Sequence, residues 1–332
     1  MHRRPKAAFF GREDNTSFVY ALGRREKVAA STELYPHLVG IEDFETHAPN
    51  LGDIEVVFST WGMPQLSEEQ IARMPALRAV FYAAGSVQNF AAPFLKRGIS
   101  VISSWQANAV PVAEFTLAQI LLATKGYFSN RQEYREPDDF HTAHRGPGNF
   151  GETVAVLGAG AIGTLVIRLL RPFNLRVIVF DPYLKDDRAA DLGVARVSLE
   201  AAFEKGLVVS NHLANLPQTV GMLKGDHFER MRKGATFINT GRGQTVDEPA
   251  MIRVLQNRPD LTALLDVTHP EPPPSDSPIY SMPNLHLTTH IAGSIGNEVV
   301  RMADYCIEEF ESWLHGRPLK YSVTLEMLDR MA

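Results

Sequence analysis

A glycine turn in the middle of the chain constrains the fold more than any other stretch. The residues Val154-Ala-Val-Leu-Gly-Ala-Gly-Ala-Ile-Gly163 join a short apolar run to three glycines in G-x-G-x-x-G spacing. This pattern is typical of a strand, a tight turn and the start of a helix. In such a turn Gly158 permits the bend, Gly160 lets a pyrophosphate approach the backbone, and Gly163 lets helix and strand pack closely. The N–H groups at the helix start attract the same anion. Alone the motif is a weak signal, because glycine-rich turns also occur without a ligand.

The residues after the turn strengthen this interpretation. A helix-like run from Thr164 to Phe173 leads into a second apolar strand, Arg176-Val-Ile-Val-Phe-Asp181, which ends on a carboxylate. A carboxylate at that position can accept hydrogen bonds from both ribose hydroxyls of an adenosine, and it would repel a 2′-phosphate. We therefore predict a dinucleotide site and favour NAD over NADP.

Two alternatives to this cofactor prediction stay open. Asp181 could merely cap a loop in a glycine-rich α/β turn that binds nothing. In addition, three cations close to Asp181 in the sequence could tolerate the extra phosphate of NADP: Arg176, Lys185 and Arg188.

Length and charge narrow the class of protein. The 332 residues are too many for one small core and suit two domains. The 45% hydrophobic and 21% charged residues are typical of a globular protein that is not embedded in a membrane. The net charge of −5, with no run of lysine or arginine, gives no electrostatic basis for binding nucleic acid. An anionic dinucleotide would therefore depend on local dipoles.

Cysteine and histidine usage argues against a disulfide framework and against a metal site. The single cysteine, Cys306, lies in an amphipathic helix-like run and is expected to be a buried or half-buried small apolar residue. His141 and His144 are three residues apart, but no carboxylate or cysteine spacing completes a site, so we predict no metal. The N-terminal apolar run is too short for a signal peptide, and no stretch approaches a membrane helix. We expect a cytoplasmic protein without membrane association.

The first hundred residues alternate apolar runs with helix-like segments, which predicts a small parallel α/β domain without a phosphate-binding turn. The predicted strands are Lys6–Phe10, Ile54–Thr60, Leu77–Ala84 and Ile99–Trp105, and the predicted helices are Leu66–Met74 and Asn89–Arg97. A longer helix follows from Val112 to Tyr127, apolar on more than one face. It is either a core helix of one subunit or a helix clamped between two subunits.

The alternation resumes after Gly151 and predicts a doubly wound sheet. Its six expected strands are Thr153–Leu157, Arg176–Phe180, Leu207–Asn211, Ala235–Asn239, Thr262–Val267 and Leu285–Thr289. An amphipathic helix from Asn297 to Trp313 and a short return segment complete the chain.

Three predicted strand ends in the second half carry unusual polar residues. Arg242 stands between Gly241 and Gly243, where its guanidinium can grip a carboxylate with two hydrogen bonds. The alternative for Arg242 is a structural pair with a carboxylate such as Asp266. Ligands of doubly wound sheets bind at the carboxyl ends of the strands, so these residues would share one edge.

The other two strand ends supply an acid and a base. Glu271 follows the strand that ends at Asp266, held between prolines, and His290 leaves the next predicted strand. A carboxylate beside a histidine favours the protonated imidazole, and such a pair can donate and accept protons. A lone histidine or a proline-flanked glutamate is more often structural. The coincidence of arginine, glutamate and histidine at one edge is harder to explain in that way.

Taken together, these motifs resemble the D-isomer-specific 2-hydroxyacid dehydrogenases, a family that includes D-lactate, D-glycerate and phosphoglycerate dehydrogenases. The resemblance spans roughly Ala79 to Val299. The motifs that carry it are Gly158–Gly163 with Asp181, Ile238-Asn-Thr-Gly-Arg-Gly243, Leu265-Asp-Val267 with Glu271, Thr289-His-Ile-Ala-Gly293, Asn108 with Val112-Ala-Glu114, and His212-Leu-Ala-Asn-Leu-Pro-Gln-Thr219.

The resemblance implies an NAD-dependent enzyme in which NADH delivers hydride to C2 of a 2-oxo acid. Arg242 would bind and polarise the substrate, His290 would protonate its carbonyl oxygen, and Glu271 would orient His290. Backbone N–H groups of the loop Ala84-Gly-Ser-Val-Gln88 would hold the substrate carboxylate. The substrate-binding residues implied are thus Gly85, Ser86, Arg242 and His290, and the cofactor-binding residues are Gly158, Gly160, Ala161, Ile162, Asp181, His212, Thr240, Asp266, His290 and Gly293.

The resemblance also implies a domain plan and a homodimer. A flavodoxin-like substrate domain would be built from residues 1–107 and 297–332, with a Rossmann NAD-binding domain inserted as residues 108–296. The helix from Val112 to Tyr127 is similar to the family's dimer-forming segment, which favours its placement between subunits.

Some local features depart from common members of the family. Ser86-Val-Gln-Asn89 replaces the usual sequence after the loop glycine, and His269 stands where aromatic or acidic residues are common, from where it could reach the substrate. The sequence does not identify the acid that is reduced. A phosphorylated substrate would need further cations, for which the candidates are Arg78, Arg97 and Arg301.

Two alternative functions share this scaffold. The first is a formate- or phosphite-type dehydrogenase, although formate dehydrogenases pair the histidine with glutamine, so Glu271 argues against that activity. The second is a non-catalytic NAD-sensing protein similar to the corepressors, which this chain matches less well because it shows no extra interaction segment.

Overall fold

The chain folds into two units in the computed structural model, which describes residues 3–143 and 146–329. The first unit comprises Met1–Asn108 and Ser294–Ala332, and the second comprises Ala109–Gly293. The expected boundaries were 107/108 and 296/297.

Strands and helices alternate along both units. The strands are β1 (Lys6–Phe10), β2 (Glu33–Val39), β3 (Val56–Ser59), β4 (Ala79–Tyr82), β5 (Ser100–Ser103), β6 (Phe150–Leu157), β7 (Asn174–Phe180), β8 (Ala195–Arg196), β9 (Val208–Asn211), β10 (Thr236–Asn239), β11 (Thr262–Leu265), β12 (Leu285–Leu287) and β13 (Ser322–Val323). The helices are α1 (Glu13–Val19), α2 (Arg24–Ser31), α3 (Phe44–His47), α4 (Glu68–Ala72), α5 (Ala91–Lys96), α6 (Trp105–Thr124), α7 (Tyr127–Glu133), α8 (Asp139–Thr142), α9 (Ala161–Leu170), α10 (Asp186–Leu192), α11 (Leu199–Lys205), α12 (Gly225–Glu229), α13 (Glu248–Asn257), α14 (Val300–Leu314) and α15 (Leu325–Leu328).

The sheet of the first unit has the order β13-β5-β4-β3-β1-β2. Read from β2, the five parallel strands follow the 2-1-3-4-5 order of flavodoxin-like folds, and the short β13 pairs antiparallel with β5 at the edge. This confirms the flavodoxin-like prediction.

The sheet of the second unit has the order β12-β11-β10-β9-β6-β7-β8, and all of its pairings are parallel. Counted from β6, this is the 3-2-1-4-5-6 order of the Rossmann fold with one further strand. The strand order reverses between β6 and β9, and ligands of such sheets bind at that reversal. The predicted doubly wound fold is therefore confirmed.

An aromatic cluster forms much of the core of the first unit. Phe58 stacks on Phe81 with ring centroids 5.3 Å apart, and Phe310 of α14 meets Phe58 edge-on at 5.0 Å. Helix α14 thus packs on the sheet made by the N-terminal residues. Cys306 on the same helix is fully buried, as expected, and burial raises the pKa of its thiol to about 12.

Helix α6 differs from the prediction at its start. It begins at Trp105 and contains Pro111, whereas the sequence suggested a strand up to Trp105 and a helix from Val112. Proline usually occupies the first turn of a helix, and this preference misplaced the start.

The expectation that no stretch approaches a membrane helix was also wrong. By length and composition alone α6 could cross a membrane, with a mean hydropathy of 1.3 over its best 18-residue window. Half of that window is buried within the protein, as in the core helix of a globular fold.

The strands that the sequence did not reveal are edge strands. β2 contains Pro36, which excludes it from most sheet interiors, and it lies at the end of its sheet with an irregular register against β1. β8 and β13 have two residues each. Such short strands leave no periodic pattern in a sequence.

Candidate active site

The three glycines of the central turn meet three different surroundings. Gly158 has φ +88°, and a Cβ on it would lie 2.9 Å from the His212 carbonyl oxygen. A Cβ on Gly163 would overlap the Gly158 carbonyl oxygen, whereas one on Gly160 would meet no protein atom within 4 Å. The first and third glycines are therefore required by packing. The open space at Gly160 fits the approach of a pyrophosphate.

The start of α9 follows this turn directly. Ala161 and Ile162 are its first two residues, and both are half-buried. Their backbone N–H groups belong to the helix N-terminus, which attracts phosphate oxygens.

Asp181 follows β7 and contacts the glycine turn. Its Oδ2 accepts a hydrogen bond from the Ala159 N–H (2.7 Å), and its Oδ1 accepts one from the Tyr183 N–H (2.8 Å). Each carboxylate oxygen keeps a further acceptor position for a ribose hydroxyl. Of the nearby cations, Arg188 donates to the Thr164 hydroxyl at 3.0 Å. Asp181 thus stabilises the glycine turn and also offers hydrogen-bond acceptors for the hydroxyl groups of a ribose.

Asp181→Ser is expected to relax discrimination against NADPH, because it removes the charge that repels a 2′-phosphate. We expect the ratio of kcat/KM for NADPH to that for NADH to rise at least about tenfold, equivalent to about 1.4 kcal/mol. Asp187→Ser, an exposed acid of the same segment, is the matched control. An unchanged ratio, or a wild-type protein that already prefers NADPH, would contradict this electrostatic argument.

A buried hydroxyl–imidazole chain lies behind the glycine turn. His212 Nε2 is 2.9 Å from Ser210 Oγ, His212 Nδ1 is 3.5 Å from Thr240 Oγ1, and Thr240 Oγ1 is 3.0 Å from Thr116 Oγ1. Burial lowers the pKa of His212 to about 3, so its ring stays neutral. Thr116 and Ser210 were not predicted from the sequence. The sequence feature that could have indicated them is a hydroxyl residue within an apolar segment, Thr116 in α6 and Ser210 in β9.

Arg242 follows β10 in a tightly restricted loop. Its backbone is extended (φ −142°, ψ 137°), and a Cβ on the next residue, Gly243, would overlap the carbonyl group of Thr268. The guanidinium Nη1 donates to the Gly241 carbonyl at 2.8 Å. Burial lowers the pKa of Arg242, and the negative charge of Glu271 partly offsets this effect. Arg242 therefore lies within the electrostatic reach of Glu271.

Glu271 and His290 form a direct hydrogen bond. Glu271 Oε1 and His290 Nδ1 are 2.7 Å apart, and the two side chains are 43% and 49% exposed. The structure thus brings together the acid and the base that follow two neighbouring strands. Since Nδ1 faces the carboxylate, Nε2 is the nitrogen left for a ligand.

The backbone of His290 is left-handed, with φ +58°, a conformation that costs about 1–3 kcal/mol in a residue other than glycine. Asp266 holds it there. The Asp266 carbonyl accepts from the His290 N–H (3.0 Å), and its carboxylate accepts from the Ile291 and Ala292 N–H groups at 2.8 and 2.9 Å.

Arg242 does not form the structural pair with Asp266 that was the alternative interpretation of its position. Besides the two N–H groups, the Asp266 carboxylate accepts from the Thr288 hydroxyl at 2.6 Å, so it is occupied by the turn that presents His290. Any contact of Asp266 with a cofactor stays a prediction.

The remaining candidate residues lie on both units. Gly293 ends the second unit, three residues after His290 in the sequence, and Gly85 and Ser86 lie in the loop after β4 of the first unit. His269 is exposed, and its backbone N–H donates to the buried Glu248 carboxylate at 3.2 Å. Burial raises the pKa of Glu248.

Within residues 3–143 and 146–329, no group of three or more histidine, cysteine, aspartate or glutamate side chains is arranged to hold a metal ion. His144, the second histidine of the pair with His141, lies outside the described residues.

A family model matches more than half of the chain. Residues 117–292 match the NAD binding domain of the D-isomer specific 2-hydroxyacid dehydrogenases. The chain belongs to this family. It therefore carries the family's NAD-binding domain, and Asp181, Arg242, Glu271 and His290 all lie inside the matched residues.

Curated relatives agree with this family. A Bacillus subtilis protein named as the 2-hydroxyacid dehydrogenase YoaD is 30% identical over 240 residues, which cover 70% of this chain and 69% of the relative. D-3-phosphoglycerate dehydrogenase of the same organism is 27% identical over 80% of this chain, and that of Archaeoglobus fulgidus is 26% identical over 70%. The chain spans 51% and 44% of the length of these two enzymes, about half.

Solved structures show the same fold over nearly the whole chain. A phosphoglycerate oxidoreductase from Rhizobium etli is 25% identical with a TM-score of 0.81, covering 98% of this chain and 100% of that one. D-mandelate dehydrogenase of Rhodotorula graminis also gives 0.81 at 21% identity, covering 96% and 97% of the two chains.

Proposed function

We propose that the protein is an NAD-dependent D-2-hydroxyacid dehydrogenase that acts as a 2-oxo acid reductase. The observation that carries the proposal is the 2.7 Å hydrogen bond between Glu271 and His290, within reach of the charge of Arg242. One edge of one sheet thereby offers a cation for a carboxylate and a histidine that can give and take a proton.

Each side chain has a separate task in this proposal. Arg242 binds the carboxylate and carbonyl oxygen of the 2-oxo acid and polarises the carbonyl. His290 gives its Nε2 proton to that oxygen during reduction and takes a proton during oxidation, while Glu271 fixes the ring and stabilises the imidazolium. Bound NADH is the hydride donor to C2.

We assign the cofactor contacts to the second unit. They are Gly158, Gly160, Ala161, Ile162, Asp181, His212, Thr240, Asp266, His290 and Gly293. The open space at Gly160 and the free acceptor positions of Asp181 support this assignment. Gly85 and Ser86 of the first unit are proposed as further ligands of the substrate carboxylate.

Two of the three cations considered for a phosphate lie away from the sheet edge where ligands bind. Arg78 directly precedes β4 and lies over the Trp313 ring, 4.9 Å from its centroid, and Arg97 caps α5 ahead of β5. Both are thus at amino ends of strands, whereas ligands bind at carboxyl ends. Only Arg301, at the start of α14, remains of the three candidates. We therefore propose an unphosphorylated 2-oxo acid.

The test is NADH oxidation with a panel of phosphorylated and unphosphorylated 2-oxo acids. Formate and phosphite are assayed in parallel with NAD. We expect turnover with at least one unphosphorylated 2-oxo acid and none with formate or phosphite. Turnover restricted to formate or phosphite would contradict this proposal and would indicate a formate- or phosphite-type dehydrogenase. NADH binding without any turnover would favour a non-catalytic NAD-sensing protein.

Glu271→Gln is expected to lower kcat/KM for the 2-oxo acid about tenfold, because a neutral amide binds and orients the His290 ring more weakly than the carboxylate does across the 2.7 Å contact. The measurement is kcat/KM at saturating NADH, with Glu229→Gln on α12 as control. A value that matches the wild type would remove Glu271 from this role.

We further propose a homodimer formed through the second unit. Large apolar side chains are exposed there between residues 122 and 150, among them Phe140 (61%) and Phe150 (78%). We expect light scattering to give the mass of a dimer and Phe140→Lys with Phe150→Lys to give that of a monomer. Phe18→Lys, which alters an exposed side chain of the first unit, is the control. A monomeric wild type would contradict the proposal.

A further inference from the structure

Two buried asparagines face each other at the carboxyl edge of the second sheet. Asn211 ends β9 and Asn239 ends β10, and the parallel register places them directly opposite one another. Both are fully buried. A buried amide destabilises a fold unless its hydrogen-bonding groups are satisfied, so the partners of these two side chains show what the pair holds in place.

The Asn211 amide is fully engaged. Its Oδ1 accepts from the Leu213 N–H at 3.2 Å. Its Nδ2 donates to Asn239 Oδ1 at 3.0 Å and to Thr245 Oγ1 at 2.8 Å. Thr245 is also fully buried. Asn211 therefore links two side chains that belong to the loop carrying Arg242.

Both of these side chains continue to the backbone of Arg242. Thr245 Oγ1 donates to the Arg242 carbonyl at 2.8 Å, and Asn239 Nδ2 donates to the same carbonyl at 3.3 Å. Asn239 Oδ1 also accepts from the Gly241 N–H at 3.1 Å. One hydrogen-bond network thus holds the backbone of Arg242 and of the adjacent Gly241.

The donors and acceptors of the side-chain hydrogen bonds in this network can be assigned in only one way. Thr245 has a single hydroxyl proton, and it accepts one from Asn211, so its own proton is free for the Arg242 carbonyl. The two protons of Asn211 Nδ2 are used by Asn239 and Thr245. The hydrogen bonds among these three side chains and the Arg242 carbonyl are then all donated in the direction from Asn211 to Arg242, and replacing Asn211 removes two of them at once.

Resting on the proposed function, we infer that Asn211, Asn239 and Thr245 are positioning residues that hold the Arg242 guanidinium in the orientation that binds the 2-oxo acid. They touch neither substrate nor cofactor in this role. None of the three was predicted from the sequence, and Asn211 looks there like one polar residue at the end of an apolar strand.

The test compares Asn211→Leu, Thr245→Val and Thr245→Ser with the wild type and with Arg242→Ala. We expect Asn211→Leu and Thr245→Val to raise KM for the 2-oxo acid about tenfold, because a buried hydrogen bond to the loop is lost. The Kd for NADH should change less than about twofold. Thr245→Ser keeps the hydroxyl and should retain the wild-type KM.

Asn284→Leu is the matched control for the loss of a buried amide. The Asn284 Nδ2 donates to the carbonyls of Leu255 and Leu261, both at 3.0 Å, away from the Arg242 loop. This variant should lose thermal stability as Asn211→Leu does, but should keep the wild-type KM.

The outcomes separate the inference from the function on which it rests. If Arg242→Ala abolishes turnover while Asn211→Leu and Thr245→Val keep the wild-type KM, only the positioning inference is overturned. The same is true if Asn284→Leu raises KM by the same factor. Should Asn211→Leu fail to fold, Thr245→Val against Thr245→Ser decides. A wild type without any 2-oxo acid reduction overturns both.

Discussion

Arg242→Ala should lower kcat/KM for the 2-oxo acid by about 10²–10³-fold, the loss typical of a group that stabilises developing charge on a substrate oxygen. We expect KM to rise and kcat to fall, because the guanidinium binds the carboxylate in the ground state and polarises the carbonyl in the transition state. Its partial burial strengthens both effects. Steady-state kinetics with NADH at saturation measure the change.

NADH binding distinguishes this role from a general loss of structure. The Kd for NADH, followed by fluorescence titration, should be unchanged in Arg242→Ala. Arg253→Ala, an exposed arginine of α13, should match the wild type in both measurements. If Arg242→Ala keeps its kcat/KM, Arg242 does not bind the substrate and the proposed chemistry has no cation at its centre.

His290→Ala should lower kcat by about 10²–10⁴-fold, because the alkoxide that forms at C2 would have no proton donor. KM for the 2-oxo acid should change little, since Arg242 still holds the carboxylate. Steady-state kinetics at saturating NADH measure both kcat and KM.

The strained backbone at His290 calls for a second variant. His290→Asn replaces the ring with a residue that tolerates the left-handed region and so preserves the turn held by Asp266. It should be as inactive as His290→Ala while binding NADH like the wild type. Substantial turnover by either variant would exclude His290 as the general acid. His227→Ala on α12 should have no effect.

The sequence predicted those parts of the site that local pattern determines. The glycine spacing predicted the turn before α9, because Gly158 and Gly163 answer steric demands within a few residues or in the adjacent loop, whereas Gly160 leaves open space. The strand ends of β10, β11 and β12 identified Arg242, Glu271 and His290. Parallel strands in one sheet bring their carboxyl ends to one edge, so alternation alone predicted that these residues would meet.

The rest depended on contacts between distant segments. The left-handed backbone of His290 is set by hydrogen bonds that Asp266 accepts from the N–H groups of His290 and Ile291, and no pattern around His290 reveals them. The partners of Asn211 follow from the register of β9 against β10. Pro36 concealed β2 and Pro111 concealed the start of α6, because the usual preferences of proline were overridden by an edge position and by packing.

The most direct test of the central claim is the configuration of the product. Wild-type protein is incubated with NADH and the best 2-oxo acid of the panel, and the 2-hydroxy acid formed is resolved on a chiral column. Membership of the D-isomer specific family predicts the D enantiomer, and the proposed hydride transfer predicts an amount equal to the NADH consumed. Formation of the L enantiomer, or consumption of NADH without any 2-hydroxy acid, would contradict the account.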